Sequence, residues 1–170
     1  MMDQKKIQEL ISRSQQEDAA AFSLLVSTFQ PLVFRLAFRL LCDEDEAKDM
    51  VQETFVKVWL ALGKYNGECR FSTWIYKITC NTCYDRLRSL YHSPLDNEAD
   101  YSVSVNISSD DNVELAVVNK QLRELILRYT DELSPRQRLI FTLRDIEELD
   151  VPEVQTITGL SAGIIKPLFT

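Results

Sequence analysis

Trp74-Ile-Tyr-Lys-Ile-Thr-Cys-Asn81-Thr-Cys-Tyr-Asp-Arg-Leu-Arg88 separates, at about 100° per residue, into two helix faces of different chemistry. Ile75, Ile78, Thr79, Thr82, Cys83 and Leu90 gather on one side. Lys77, Asn81, Tyr84 and Arg88 form a stripe at i, i+4, i+7 and i+11 on the other. A cation neutralises phosphate, an amide reads a base edge and an aromatic ring stacks an unpaired base, so the stripe suits nucleic acid. An amphipathic helix with an ordinary solvated outer face has the same pattern, and the helix alone leaves both readings open.

Working outward, Leu60 to Arg70 holds Gly63, Asn66 and Gly67, a loop composition; Gly63 is expected to end the preceding helix and Ser72 to cap the next. Upstream, Asp43 with Glu46 three residues on fits a capping box for a helix running to about Leu62. Residues 3 to 42 read as two helices, with Pro31 expected to start or kink a turn because an interior proline loses a backbone bond and crowds the preceding turn. Downstream, Ser93 to Asn112 is polar, acidic and aperiodic, the signature of a linker. Helical spacing resumes at Val113, Ala116, Val117, Leu122, Leu125 and Ile126. Ser134-Pro135 then reads as an N-cap with proline at the first helical position. A short helix near Pro152 to Ile157, a turn at Gly159 and an N-cap at Ser161 make a helix-turn-helix pattern. With little Val/Ile alternation anywhere, the expected fold is all-α: two small helical domains, 1–93 and 113–170, joined by an acidic linker at 94–112.

The 170 residues, 45% hydrophobic, suffice for one ordinary domain or two small ones. A net charge of −7 opposes nucleic-acid binding only if charge is averaged over the chain. Residues 64–93 carry five basic and two acidic groups, whereas 94–114 carry six acidic groups and no basic one. The basic surface is therefore local, and the acidic spacer is placed to compete for it when no nucleic acid is bound. The N-terminus has no signal-peptide core and no segment is expected to reach the ~20 apolar residues that span a bilayer, which implies a cytoplasmic protein without membrane insertion.

Two constellations carry alternatives. On the helix from Asp45 to Leu62, Val51, Phe55, Val58, Trp59 and Leu62 form an apolar face, and Asp49, Gln52 and Glu53 project from the opposite side. That acid-amide-acid row is either plain solvated surface or a docking site for a basic partner. Cys80 and Cys83, with Cys69 and His92 nearby, permit a zinc or redox proposal. Their position inside a helix, with no second Cys-x-x-Cys and no strand before it, opposes both; Cys83 on the apolar face reads as a small buried hydrophobe, the four cysteines as reduced thiols and His92 as a helix cap, so no metal and no cofactor are expected. No phosphate loop, serine elbow or clustered acid-base pair is visible, so neither an enzyme nor a small-molecule substrate is expected.

Taken together, three ordered motifs resemble the bacterial RNA polymerase sigma factors of the extracytoplasmic-function (ECF) class of the sigma-70 family. Asp49-Met-Val-Gln52-Glu53-Thr-Phe55-Val-Lys-Val-Trp59 is similar to the family's polymerase-docking helix. Phe71-Ser-Thr-Trp74 through Arg88 is similar to its promoter −10 helix, and Leu133-Ser-Pro-Arg-Gln137-Arg138 with the helix-turn-helix is similar to its −35 domain. The resemblance implies that Asp49, Gln52 and Glu53 dock on the polymerase clamp helices and that the −35 domain reaches the flap. It implies that the loop from Tyr65 through Asn66 and Arg70 to Phe71 captures a base flipped from the non-template strand of the −10 element. Trp74, Lys77, Asn81, Tyr84 and Arg88 would line the adjoining strand, offsetting the few kcal/mol that each unstacked base costs. It further implies an anti-sigma partner.

One segment departs from the family pattern. The recognition helix reads Ser161-Ala-Gly-Ile-Ile-Lys166-Pro167, where a proline past the first turn costs about 3 kcal/mol or more, only Lys166 is cationic, and Gln155 replaces a usual alanine. The expectation is a truncated recognition helix with weak −35 binding through Ser161 and Lys166. The competing reading is a protein that docks on polymerase without initiating.

Overall fold

The computed structural model describes residues 3–91, 113–130 and 133–166, all helix, turn or loop. The helices are α1 (Gln4–Ser14), α2 (Ala19–Leu41), α3 (Glu44–Ala61), α4 (Phe71–Tyr91), α5 (Val113–Thr130), α6 (Pro135–Phe141), α7 (Val151–Thr158) and α8 (Ala162–Ile165). The expected linker and His92 lie outside the described residues.

Helix α2 is the axis of the N-terminal half. Asp18 caps it, accepting from the Ala21 amide at 3.0 Å, and Leu25, Val33, Leu36 and Leu40 are fully buried against α1, α3 and α4. Each such burial contributes about 1.5–3 kcal/mol. Serving three neighbours makes α2 apolar on most of its circumference. It is long and apolar enough to cross a membrane, with a mean hydropathy of 1.5 in its most apolar window, contrary to the expectation that no segment would be. Its packing as a core helix accounts for that composition.

Pro31 does not divide α2. It lies exposed within the continuous helix, and the hydroxyls of Ser27 and Thr28 bond back to the carbonyls of Ser23 and Leu24 at 3.0 and 2.7 Å in the turn before it. Asp43 caps α3 as expected, accepting from Glu46 N at 2.9 Å. The Glu46 carboxylate does not close the box; it accepts from Nε and Nη2 of Arg86 on α4, both at 2.6 Å. Nor does Gly63 end α3. The chain tightens into a 3-10 turn at Leu62–Lys64, and the left-handed glycine of this connection is Gly67, at φ 79°.

In the C-terminal half, Ser134 and Gln137 form a complete capping box with Pro135 in the first turn of α6. The chain continues through a π-helical turn, Thr142–Ile146. Asp150 and Glu153 box the start of α7, and Gly159, at φ 73°, ends it. Ser161 stands at the N-cap of α8, but its side chain makes no capping bond.

The two halves share a core. Leu36 and Leu40 of α2 and Cys80, Cys83 and Leu87 of α4 belong to one buried cluster with Leu139, Ile140, Leu143, Val154 and Ile157. A second cluster, of α1, α2, α3 and the start of α4, lies wholly in the N-terminal half.

Candidate nucleic-acid and partner interface

Helix α4 has three faces rather than two. Ile75, Thr79 and Thr82 turn inward, the hydroxyls satisfied by the carbonyls of Ile75 and Ile78 at 2.8 and 2.9 Å. Tyr76, Cys80 and Leu87, with half-buried Tyr84, belong to the cluster shared with α6 and α7. Lys77, Asn81 and Arg88 remain exposed. Of the four-residue stripe, Tyr84 thus has a packed side, and the Arg88 guanidinium stands 5.8 Å from its ring centroid. Leu90, expected on the buried face, is exposed near the helix end.

The loop ahead of α4 is built from aromatic rings. Phe71 lies 5.2 Å from Tyr65, 5.3 Å from Phe29 and 5.6 Å from Trp74 between centroids. Tyr65 and Phe71 are only 8% and 4% exposed, so neither ring has a free face on which a base could stack in this conformation. The Tyr65 hydroxyl donates to the Cys69 carbonyl at 2.7 Å, and burial raises its pKa and keeps it a neutral donor. Gln15 of α1 ties the loop from below, donating to the carbonyls of Leu62 and Tyr65 at 3.0 and 2.9 Å. Exposed Asn66 and Arg70 and half-buried Trp74 are the groups this scaffold presents. Helix α4 begins one residue before Ser72; the Arg70 carbonyl accepts from Trp74 N at 3.0 Å, and Ser72 lies in the first turn.

Asp49, Gln52 and Glu53 are all exposed on α3, opposite buried Met50, Val51, Thr54 and Phe55. Glu53 pairs with Lys57 at 2.7 Å, an exposed contact of little energetic weight. Beside this row runs an apolar groove of about 460 Å³ between α2 and α3, lined by Phe22, Val26, Phe55, Val56, Trp59 and Leu60. Val56 and Leu60 are 58% and 75% exposed. Sequence reasoning missed them; the signal was two large apolar residues at i, i+4 lying off the core face of α3.

Cys80 and Cys83 are buried on one helix. Burial pushes the Cys83 thiol up to about 12 and the Cys80 thiol up as well, the opposite of what a reactive pair needs. Ser161 and Lys166 are exposed at the two ends of α8, and Pro167 lies outside the described residues.

Residues 25–92 match the family described as Sigma-70 region 2, and residues 123–166 match Sigma-70, region 4. The RNA polymerase sigma-H factor of Pseudomonas aeruginosa is 28% identical, over 98% of this chain and 89% of that protein. The ECF RNA polymerase sigma-E factor of Escherichia coli K12 is 30% identical, over 98% and 90%. Two solved structures share the fold. CnrH in complex with the cytosolic domain of CnrY has a TM-score of 0.64 at 20% identity, covering 96% of this chain and 90% of that one. The sigma factor RpoE in complex with the anti-sigma factor NepR from Bartonella quintana has a TM-score of 0.60 at 22% identity, covering 87% and 89%.

Proposed function

The chain belongs to the ECF class of the sigma-70 family and is a sigma factor directing transcription initiation; from that premise we propose that it docks on core RNA polymerase through α3 and recognises and melts the −10 element along α4. The observation that carries the docking reading is the exposed Asp49–Gln52–Glu53 row beside an apolar groove, a polar rim on an apolar floor. Basic groups on the clamp helices would meet the carboxylates while apolar side chains fill the groove past Val56 and Leu60.

For the −10 element, exposed Asn66 and Arg70 flank the aromatic scaffold, and Lys77, Asn81 and Arg88 continue as a path for the non-template strand. Tyr65 and Phe71 support the loop from within, and Trp74 is the ring with surface left for stacking. The sequence reading supports a division into residues 1–93 for docking and melting, 94–112 as linker and 113–170 for the −35 element. The protein would work in the cytoplasm with the polymerase and, like RpoE of Bartonella quintana in its complex with NepR, be held by an anti-sigma partner. It carries out no bond chemistry.

The test is binding of the purified chain to core polymerase, with Asp49→Lys and Glu53→Lys together, followed by run-off transcription from a −10-bearing template. Tight binding that the reversals weaken at least tenfold, with transcript, supports the reading; binding indifferent to them refutes the docking face.

A second reading, occupancy of polymerase without initiation, rests on the cation-poor outer side of α8, where Ser161, Gly163, Ile164 and Lys166 are exposed and Lys166 is the single cation. Binding without transcript would favour it. A basic helical tail placed after Lys166 is expected to strengthen −35 DNA binding in a shift assay; no gain would remove the account that α8 is short of cations.

A further inference from the structure

Glu147 follows the π-helical turn after α6, and its side chain is only 6% exposed. Its carboxylate receives the Arg39 guanidinium of α2 and, at 2.6 Å, the Tyr76 hydroxyl of α4. Arg35, exposed one turn before Arg39, lies near enough to the same hydroxyl to act on it electrostatically. Arg39 Nε is buried without a hydrogen-bond partner, so the guanidinium is only partly satisfied by the carboxylate. Beside this cluster a cleft of about 470 Å³ opens between the halves, with Arg70, Ser72 and Tyr76 on one wall and Leu149, Glu153 and Ile157 on the other.

One guanidinium, of Arg39, and the Tyr76 phenol from the region 2 half therefore converge on one carboxylate of the region 4 half, with exposed Arg35 beside the phenol and Arg70 across the cleft from Glu153. Guanidinium forks and a hydroxyl donor are what phosphate oxygens bind, and carboxylate oxygens are the protein groups nearest to them in charge and geometry. A buried ion pair adds little net stability compared with an apolar contact, so the pairing is poorly explained as a fastening. The −10 and −35 elements lie roughly 85 Å apart along B-form DNA. Two halves sharing one hydrophobic core do not span that distance, so reading both elements requires the halves to part and uncovers Arg39 and Tyr76 beside the already exposed Arg35 and Arg70.

We propose that Arg35, Arg39 and Tyr76, continued by Arg70, form a further nucleic-acid phosphate site on the region 2 half, which Glu147 occupies in the isolated chain in place of a phosphate. The inference rests on the reading that α4 lies along promoter DNA. It adds Arg35, Arg39 and Tyr76 to the DNA surface and makes the region 4 half a competitor for it. Backbone phosphates displace Glu147 because they arrive as a series with counterion release, which one carboxylate cannot match.

The experiment uses the full chain, without polymerase, and a fluorescein-labelled duplex of mixed sequence, read by anisotropy. Glu147→Gln is expected to tighten binding roughly five- to tenfold and to steepen the salt dependence by about one phosphate contact or more. Glu148→Gln makes the same charge change on the exposed neighbour and is expected to alter affinity less than about twofold. Adding Arg39→Gln to Glu147→Gln should abolish the gain. Equal gains from the two glutamate variants, no gain from folded Glu147→Gln, or a gain that survives loss of Arg39 would each overturn the proposal. If Glu147→Gln does not fold, the wild-type chain serves: amides of residues 143–154 lose hydrogen-exchange protection at saturating duplex if Glu147 is displaced, and unchanged protection overturns it. Because polymerase and promoter are absent, failure here leaves the docking reading standing, and failure of docking leaves this result readable.

Discussion

Gly159 and Gly63 show how much a single residue's backbone decides. Gly159 ends α7 at φ 73° with open space around the missing Cβ, so Gly159→Ala should cost about 1–2 kcal/mol from the left-handed backbone alone. Gly63 has no positive φ and equally open space, so Gly63→Ala should stabilise by about 0.5 kcal/mol. Chemical denaturation of both variants checks the contrast, and a reversed order would contradict the backbone assignment. Sequence composition identified both as turn glycines without telling them apart, because φ depends on how the chain leaves the helix. Asp18 carries a pH prediction. The Ala21 amide, and then Arg13, holds its carboxyl below the ordinary value of 3.8 in the folded chain, so in that window the unfolded chain binds more protons. The contribution is complete above about pH 3.8 and is lost as pH falls through the folded value. Asp18→Asn, which keeps a capping acceptor but does not titrate, should flatten the pH dependence of the melting temperature there; an unchanged slope would assign it to other groups.

At the scale of elements, what could be read in advance was periodicity and capping. The Ser134–Pro135 start of α6, the glycine end of α7 and the apolar face of α3 were legible because each rests on neighbours within one or two turns. Long-range contacts were not. Glu46 was expected to complete a local box and is engaged by Arg86, forty residues away. Tyr65 and Phe71, expected at the DNA surface, are enclosed because α2 packs Phe29 against Phe71, while Trp74 of the same α4 turn lies against both rings. Pro31 was legible as a helix interruption and proved to be accommodated on the exposed side of α2. Pro31→Ala restores an amide donor for the Ser27 carbonyl and removes a steric conflict, so it should stabilise the chain by about 1 kcal/mol or more in a thermal or urea melt. Destabilisation would mean that the proline sets a path of α2 that the core requires.

For the whole molecule, segmental charge and motif order pointed to two functional halves, but nothing local in the sequence signals that α4 would be covered on a second side by α6 and α7. Helical spacing puts Cys83 on a single apolar face; with Cys80 and Leu87 it belongs to the cluster that holds Ile140, Leu143 and Val154. With buried residues of both halves in one cluster, calorimetry of the full chain should give one cooperative transition. Leu143→Ala, which empties a fully buried position, should lower the stability of the whole by about 2–5 kcal/mol; two resolved transitions would show the halves to be independent. Docking belongs to this scale too, since the exposed Asp49–Gln52–Glu53 row of α3 borders a groove whose lining comes from both α2 and α3. The most direct measurement is the affinity of the chain for core RNA polymerase, with and without Asp49→Lys and Glu53→Lys, in a fluorescence titration. The account predicts tight binding that the double reversal weakens at least tenfold while the melting temperature holds; binding of unchanged strength, or none by the native chain, would contradict it.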